Sequence, residues 1–282
     1  MKRIQLVVAY EGTYYYGWQV QPNGITIEAV LNRYLSQLLR QPITVQGTSR
    51  TDAGVHARGN ICIFDADTSI PPHKIRPALQ VLLPEDIVIV SSAEVAPDWH
   101  PRYQPSIKSY EYRLDIGEVY DPTIRFTHVH VTYPLDLDRM QEACKMFEGI
   151  HDFAAFCNVK TGAKTTVRTI YSMSLTIDNH VISIRVKGNG FLYNMVRMMV
   201  GALLLVGRGN MSLEELQASI YANPSGQIMS KHRYTAPAHG LILDHIQFIK
   251  GDLSYENYRS QGLPRDEQES CSVHSSSCNR KT

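Results

Sequence analysis

The chain has 282 residues, enough for one large domain or two of ordinary size. Hydrophobic residues make up 43% and charged residues 20%, a globular composition that excludes a disordered, collagen-like or disulfide-scaffold protein. Lys plus Arg is 28 against 27 Asp plus Glu, so the net charge is +1 and any surface for a polyanion must be assembled by folding.

Residues 3–10 alternate, with Ile4, Leu6, Val8 and Tyr10 on one side, which predicts a strand. The run breaks at Glu11-Gly12 without a small-residue cleavage site, so it reads as a strand and not as a signal peptide. Ile27, Val30, Leu31, Tyr34, Leu35 and Leu38 share one face of an amphipathic helix that Thr26 can cap. Residues 43–48 and 61–64 read as strands flanking a polar, glycine-punctuated loop, and 72–83 as a helix ended by Pro84. Residues 87–90 read as a short strand.

A second set follows. Residues 109–116 and 126–131 read as strands, and Leu137, Met140, Cys144 and Phe147 mark a helix face ended by Gly149. Residues 166–177 and 181–186 read as long strands joined at Asp178-Asn179. Residues 191–206 read as a helix, 212–221 as a second with Ser212 and Glu215 as its capping box, and 241–249 as a strand. Strand pairs joined by short turns favour α+β with antiparallel sheet, in two joined halves with helices on one face of each. The halves are 1–105 and 106–250, separated where Pro101 and Pro105 interrupt the periodicity. Residues 251–282 form a polar, Ser-rich tail expected to be disordered. Its Cys271, His274 and Cys278 lack the fourth ligand of a structural zinc site.

The apolar run 191–206 falls short of the roughly 18 residues of a membrane span and carries Asn194 and Arg197, so a buried helix is expected. Five scattered cysteines suggest reduced thiols and a cytoplasmic setting.

Chemistry concentrates in two places. Residues 50–57, Arg-Thr-Asp-Ala-Gly-Val-His-Ala, put a cation, a carboxylate, a glycine and an imidazole on a loop between two apolar strands. A lone Asp52 can be a nucleophile, a general base or a metal ligand, or can simply bond its own turn. No second carboxylate cluster favours the metal. His56 is a base or a structural donor. The second place is Arg197, on a helix apolar nearly all round. A buried Arg requires an anion, and Asp52 is the natural partner, which would lower the pKa of the carboxylate. Tyr14, Tyr15, Tyr16 and Trp18 cluster beside Gly12 and Gly17, and Lys108, Tyr110 and Tyr112 share a strand face. Such aromatics either pack in the core or stack on unpaired bases. Residues 160–164, with Lys160 and Lys164, form a basic loop or a solvated turn.

These segments resemble the tRNA pseudouridine synthase A family. The match runs in family order from Tyr10-Glu11-Gly12 with Tyr16-Gly17-Trp18-Gln19, through 49–57, His100-Pro101-Arg102-Tyr103 and Lys108-Ser109-Tyr110-Glu111-Tyr112. It ends with 188–201 and 235–241. The resemblance implies isomerisation of uridine to pseudouridine in the tRNA anticodon stem-loop, at positions 38 to 40, by a homodimer with no cofactor and no metal. It implies Asp52 as the catalytic aspartate, Tyr110 as the tyrosine stacking on the target base and Arg197 as the partner of the aspartate. Arg50 is implied to help flip the base, and Leu241 to wall the pocket. Pro101 departs from the commoner alanine of the family. Two rivals remain: an RNA chaperone that keeps the cleft without catalysis, and a hydrolase using Asp52 and His56 on a small substrate.

Overall fold

Alternating burial along Lys2–Tyr10 makes β1, whose Ile4, Leu6, Val8 and Tyr10 enter the core while the residues between them stay half-buried. The structure, a computed structural model, describes residues 1–158, 163–221, 233–249 and 254–260. α1 spans Ile27–Leu39 and buries Ile27, Leu31 and Leu35; the Thr26 hydroxyl accepts from the Ala29 amide at its start. β2 is only Gln46–Gly47, shorter than residues 43–48 promised, and β3 runs from His56 to Ala66. The strand therefore begins inside the polar loop, five residues before its apolar run. α2 is Pro72–Gln80 and β4 is Ile87–Val95.

β5 covers Ser106–Asp115, and β6 shrinks to Val129–His130. α3 is Leu137–Met146, capped by the Asp136 carboxylate, which accepts from the Arg139 amide. β7 is Gly149–Asp152, β8 is Val167–Asp178 and β9 is Val181–Gly188. The β8–β9 turn is Asn179-His180, one residue later than the expected Asp178-Asn179, with Asp178 still in β8 and Asn179 at φ 53°. α4 is Met195–Gly207, almost entirely buried, and α5 is Leu213–Tyr221. The capping box of α5 forms in both directions: the Glu215 amide donates to the Ser212 hydroxyl, and the Ser212 amide to the Glu215 carboxylate. β10 is Leu241–Phe248.

One sheet contains all ten strands, in the order β4-β1-β3-β10-β5-β9-β8-β7, with β2 added to β3 and β6 to β5. Its ladders are antiparallel except β10 with β3 and β5 with β6. Within the sheet β10 lies between β3 and β5 and so joins the strands that precede residue 100 to those that follow it. On the rear of this junction, Glu111 is held by Arg58, Arg113 and Arg185 at 2.8–3.2 Å. The expectation of no regular structure after residue 250 needs correction: Tyr255–Ser260 forms a short helix, α6, and its Tyr258 ring lies 4.6 Å from that of Tyr171 on β8. Cys271, His274 and Cys278 lie outside the described residues. No helix among the described residues is long and apolar enough to cross a membrane.

Candidate active site

The loop between β2 and β3 is held by side chains and backbone from three directions. Asn60, fully buried on β3, donates to the Ser49 carbonyl at 3.0 Å and accepts from the Ser49 amide at 3.4 Å. The Tyr10 hydroxyl meets the Thr51 hydroxyl at 2.8 Å. The Trp18 amide donates to the Thr51 carbonyl and the Gly54 amide to the Tyr15 carbonyl. These contacts explain the glycine-rich segment 12–17. Gly17 sits at φ +81°, and a Cβ there would lie 2.5 Å from the Thr51 carbonyl oxygen. Asp52 to Val55 close a turn, the Val55 amide donating to the Asp52 carbonyl, with Gly54 at φ +77°. Asp52 thus leaves the loop on a backbone with little freedom.

Arg197, in the first turn of α4, meets this carboxylate. Its Nη1 donates to Asp52 Oδ2 at 3.2 Å and to Asn194 Oδ1 at 3.1 Å, and its Nε donates to the Ala236 carbonyl at 2.8 Å. Both side chains are largely buried. The pairing matches the expectation from a cation on an apolar helix; the predicted pKa direction does not. Burial of Asp52 outweighs the Arg197 guanidinium, so the carboxyl lies above its ordinary value. The helix also begins later than its hydrophobic pattern, because residues 191–194 turn outside it and Asn194 sits at φ 61°. That displacement carries Phe191 and Tyr193 into the wall of a cleft.

The cleft has a volume of about 710 Å³ and collects residues from distant parts of the chain, from Tyr16 to Leu241. Asp52, Tyr110, Arg197, Arg50 and Leu241 all line it. Tyr110 is buried, and its ring stands edge-on to Phe191 at 5.0 Å. Burial raises the phenol pKa, so the hydroxyl is neutral at ordinary pH. Leu241 is buried at the start of β10, and Arg50 is exposed at the mouth. Three further cations join them: Lys108, which the sequence put on the face of Tyr110, Arg102 from the 100–103 motif, and Arg168, which nothing in the sequence singled out. Asp52 is the only carboxylate among the described lining residues, where five cations face it. The concentration of charge that folding had to supply is in this cleft.

The other aromatic candidates divide. Trp18 and Tyr15 are core residues, Tyr16 lines the cleft, and Tyr14 is exposed against Phe126. Tyr112 is fully buried and donates to the Pro237 carbonyl. His56 has no ring nitrogen to spare. Its Nδ1 accepts from the Gly12 amide, its Nε2 faces the His239 carbonyl, each at 3.0 Å, and burial lowers its pKa. The ring is a neutral clamp, which removes the base that a hydrolase would need. Of the basic loop, Lys160 lies outside the described residues, and Ala163 lines the cleft. No group of three or more His, Cys, Asp or Glu among the described residues could hold a metal ion.

Asn60, Arg168 and Phe191 were missed in the sequence. Asn60 had one signal, a lone amide inside an otherwise apolar strand. Phe191 lay inside the matched segment 188–201 but was read as part of a buried helix; Arg168 had no signal, because it reaches the cleft only through the register of β8.

The profile of the tRNA pseudouridine synthase family matches residues 6–104 and 143–248. The chain is 39% identical over 251 residues to a protein named tRNA pseudouridine synthase A from Geobacter sulfurreducens, covering 88% of this chain and 100% of that one. It is 42% identical over 254 residues to a protein of the same name from Halalkalibacterium halodurans, covering 90% and 95%. A third, from Ruminiclostridium cellulolyticum, is 41% identical over 249 residues, covering 88% and 100%.

Proposed function

The chain belongs to the tRNA pseudouridine synthase A family, and from that premise we propose that it isomerises uridine to pseudouridine in the tRNA anticodon stem-loop, at positions 38 to 40, with Asp52 as nucleophile. The observation that carries this reading is the Asp52–Arg197 pair in a cleft lined by Tyr110 and by four further cations.

The reaction moves the bond at C1′ of the ribose from N1 to C5 of uracil. The Asp52 carboxylate attacks C1′ and the N-glycosidic bond breaks, its electron pair leaving with the uracil ring. The detached ring turns within the cleft, and C5 attacks C1′ and displaces the carboxylate. C5 then loses its proton and N1 gains one. A single carboxylate suffices, because the leaving group is a stabilised anion that needs no separate acid. Arg197 offsets the cost of holding Asp52 ionised where burial favours its protonated form. Tyr110 and Leu241 supply the walls that retain the ring while it is free.

The target base has to leave its stack to enter, at a cost of a few kcal/mol. Arg50, at the mouth, is placed to take the position the base vacates, and contacts to the rest of the RNA offset the cost. The halves 1–105 and 106–250 divide the labour: the first brings Arg50 and Asp52, the second Tyr110, Arg197 and Leu241. A cleft of about 710 Å³ accommodates a nucleotide and not a stem-loop, so the remaining RNA rests on surface beyond it. In this reading a homodimer in the cytoplasm provides that surface. The chemistry is assigned to these side chains alone, with no cofactor or metal.

The test is to incubate unmodified tRNA transcript with the wild-type chain and with Asp52→Asn, and to map pseudouridines. The reading requires product at one or more of positions 38 to 40 with wild type and none with Asp52→Asn. Tight binding by wild type without product would instead identify an RNA chaperone.

A further inference from the structure

Lys108 is half-buried in the cleft and has no hydrogen-bond or ion-pair partner for its ammonium among the described residues. It lies on the same face of β5 as Tyr110, two residues and roughly 6.6 Å away along the strand. Its cross-strand neighbours are Gly188 on β9, which has no side chain, and Ile246 on β10, which is buried and apolar. Burial lowers its pKa to about 8, and the guanidiniums of Arg102 and Arg168, which line the same cleft, lower it further.

Those two guanidiniums are themselves fixed. Arg102 Nε donates to the Gly47 carbonyl at 2.7 Å, and Arg168 Nη1 donates to the Thr165 carbonyl at 2.9 Å and the Val167 carbonyl at 2.6 Å. Neither forms an ion pair among the described residues, and Asp52, the only carboxylate among the described lining residues, is engaged by Arg197. Three cations thus converge where no carboxylate among the described lining residues pairs with them; Glu28, which acts on Arg102 alone, lies outside the cleft lining. Such an arrangement costs folding free energy, and it is repaid only when a ligand brings the missing negative charge.

We propose that Lys108, flanked by Arg102 and Arg168, forms a phosphate subsite that takes one phosphodiester of the RNA strand next to the target uridine. This rests on the synthase reading above and adds to it a specific contact. The short step from Tyr110 to Lys108 puts the anion about one nucleotide from the base pocket. Lys108 is a positioning residue in this scheme: it sets where the strand lies and so how the ribose C1′ meets Asp52.

The experiment uses the full chain and an unmodified tRNA transcript. Lys108→Met should weaken binding about tenfold, as for the loss of one charge-assisted contact. It should also reduce the slope of log affinity against log salt by about 0.7 to 0.9, the signature of one phosphate contact fewer. Lys108→Arg should keep the slope. The free Lys108→Met protein should melt at a higher temperature than wild type, because an uncompensated cation is gone; a purely structural lysine would give the opposite sign. Anticodon stem-loop RNAs carrying one neutral methylphosphonate linkage at a time then locate the contact and distinguish it from capture of free phosphate. At one linkage the loss from Lys108→Met and the loss from the neutral linkage should not add. Additive losses at every linkage, or an unchanged salt slope, would overturn the subsite while wild type still makes pseudouridine. Wild type that neither binds nor modifies tRNA would overturn the synthase reading itself.

Discussion

Arg197 Nη1 lies 3.2 Å from Asp52 Oδ2 across 145 residues of chain, and the pair joins the loop before β3 to the first turn of α4. The carboxyl is buried enough that its pKa is raised despite the guanidinium beside it. The two residues therefore act as a unit whose balance is set by burial as much as by charge.

Replacing Arg197 by Met should leave Asp52 buried without its counter-charge, costing about 3 kcal/mol of stability. The carboxyl pKa, already raised, should rise further. If turnover needs the ionised carboxylate, the acid limb of the rate–pH profile then moves to higher pH in the variant. The sign for stability follows from the same shift. A carboxyl that holds its proton more tightly folded than unfolded loses stability as pH rises from the unfolded value towards the folded one. Thermal melts and single-turnover rates between pH 4 and 8 check both, and an unmoved acid limb would refute the coupling.

His56→Ala should destabilise the fold by about 2–3 kcal/mol, since the Gly12 amide and the His239 carbonyl lose their partner. The fraction that remains folded at low temperature should retain turnover within a few-fold of wild type. Complete loss of chemistry in demonstrably folded protein would return His56 to the role of a base.

Asn60→Ala removes the amide that pins Ser49 from both sides. A stability loss of about 2 kcal/mol is expected. Because the loop carrying Asp52 loosens, kcat should fall more than tRNA affinity. Equal kcat at a temperature where the variant is folded would show that the loop does not depend on this anchor.

Gly17→Ala should be costly for two separate reasons, the positive φ and the Thr51 carbonyl 2.5 Å from the new Cβ. At least about 2 kcal/mol and a displaced Asp52 loop are expected. Ser212→Ala is the matched control. It breaks the capping box of α5, a helix that lines no part of the cleft, and should cost about 1 kcal/mol with turnover unchanged.

What could be read before folding was what neighbours in the chain decide. Thr26, Asn179 and the Ser212–Glu215 box act within four residues of themselves, and each stands where its local chemistry put it. The ends of elements were less legible. β3 starts at His56 because pairing with β1 and β10 recruits polar residues that have no strand pattern of their own. α4 starts late because Asn194 takes a left-handed turn. The tail reading failed at Tyr255–Ser260, where docking of Tyr258 on Tyr171 supplies stability that a short polar helix lacks by itself.

The site divides in the same way. That Arg197 needed a buried anion followed from its apolar helix, since desolvating an unpaired guanidinium costs more than a fold can spare. Motif resemblance singled out Asp52, Tyr110, Arg50 and Leu241. That Arg102, Lys108 and Arg168 converge beside them was decided by the register of β5, β8 and β9 and by the turn at 100–103. Electrostatic repulsion acts through space and not along the chain. A net charge of +1 was therefore compatible with a cleft among whose described lining residues five cations face one carboxylate, and only the tertiary structure could bring them together.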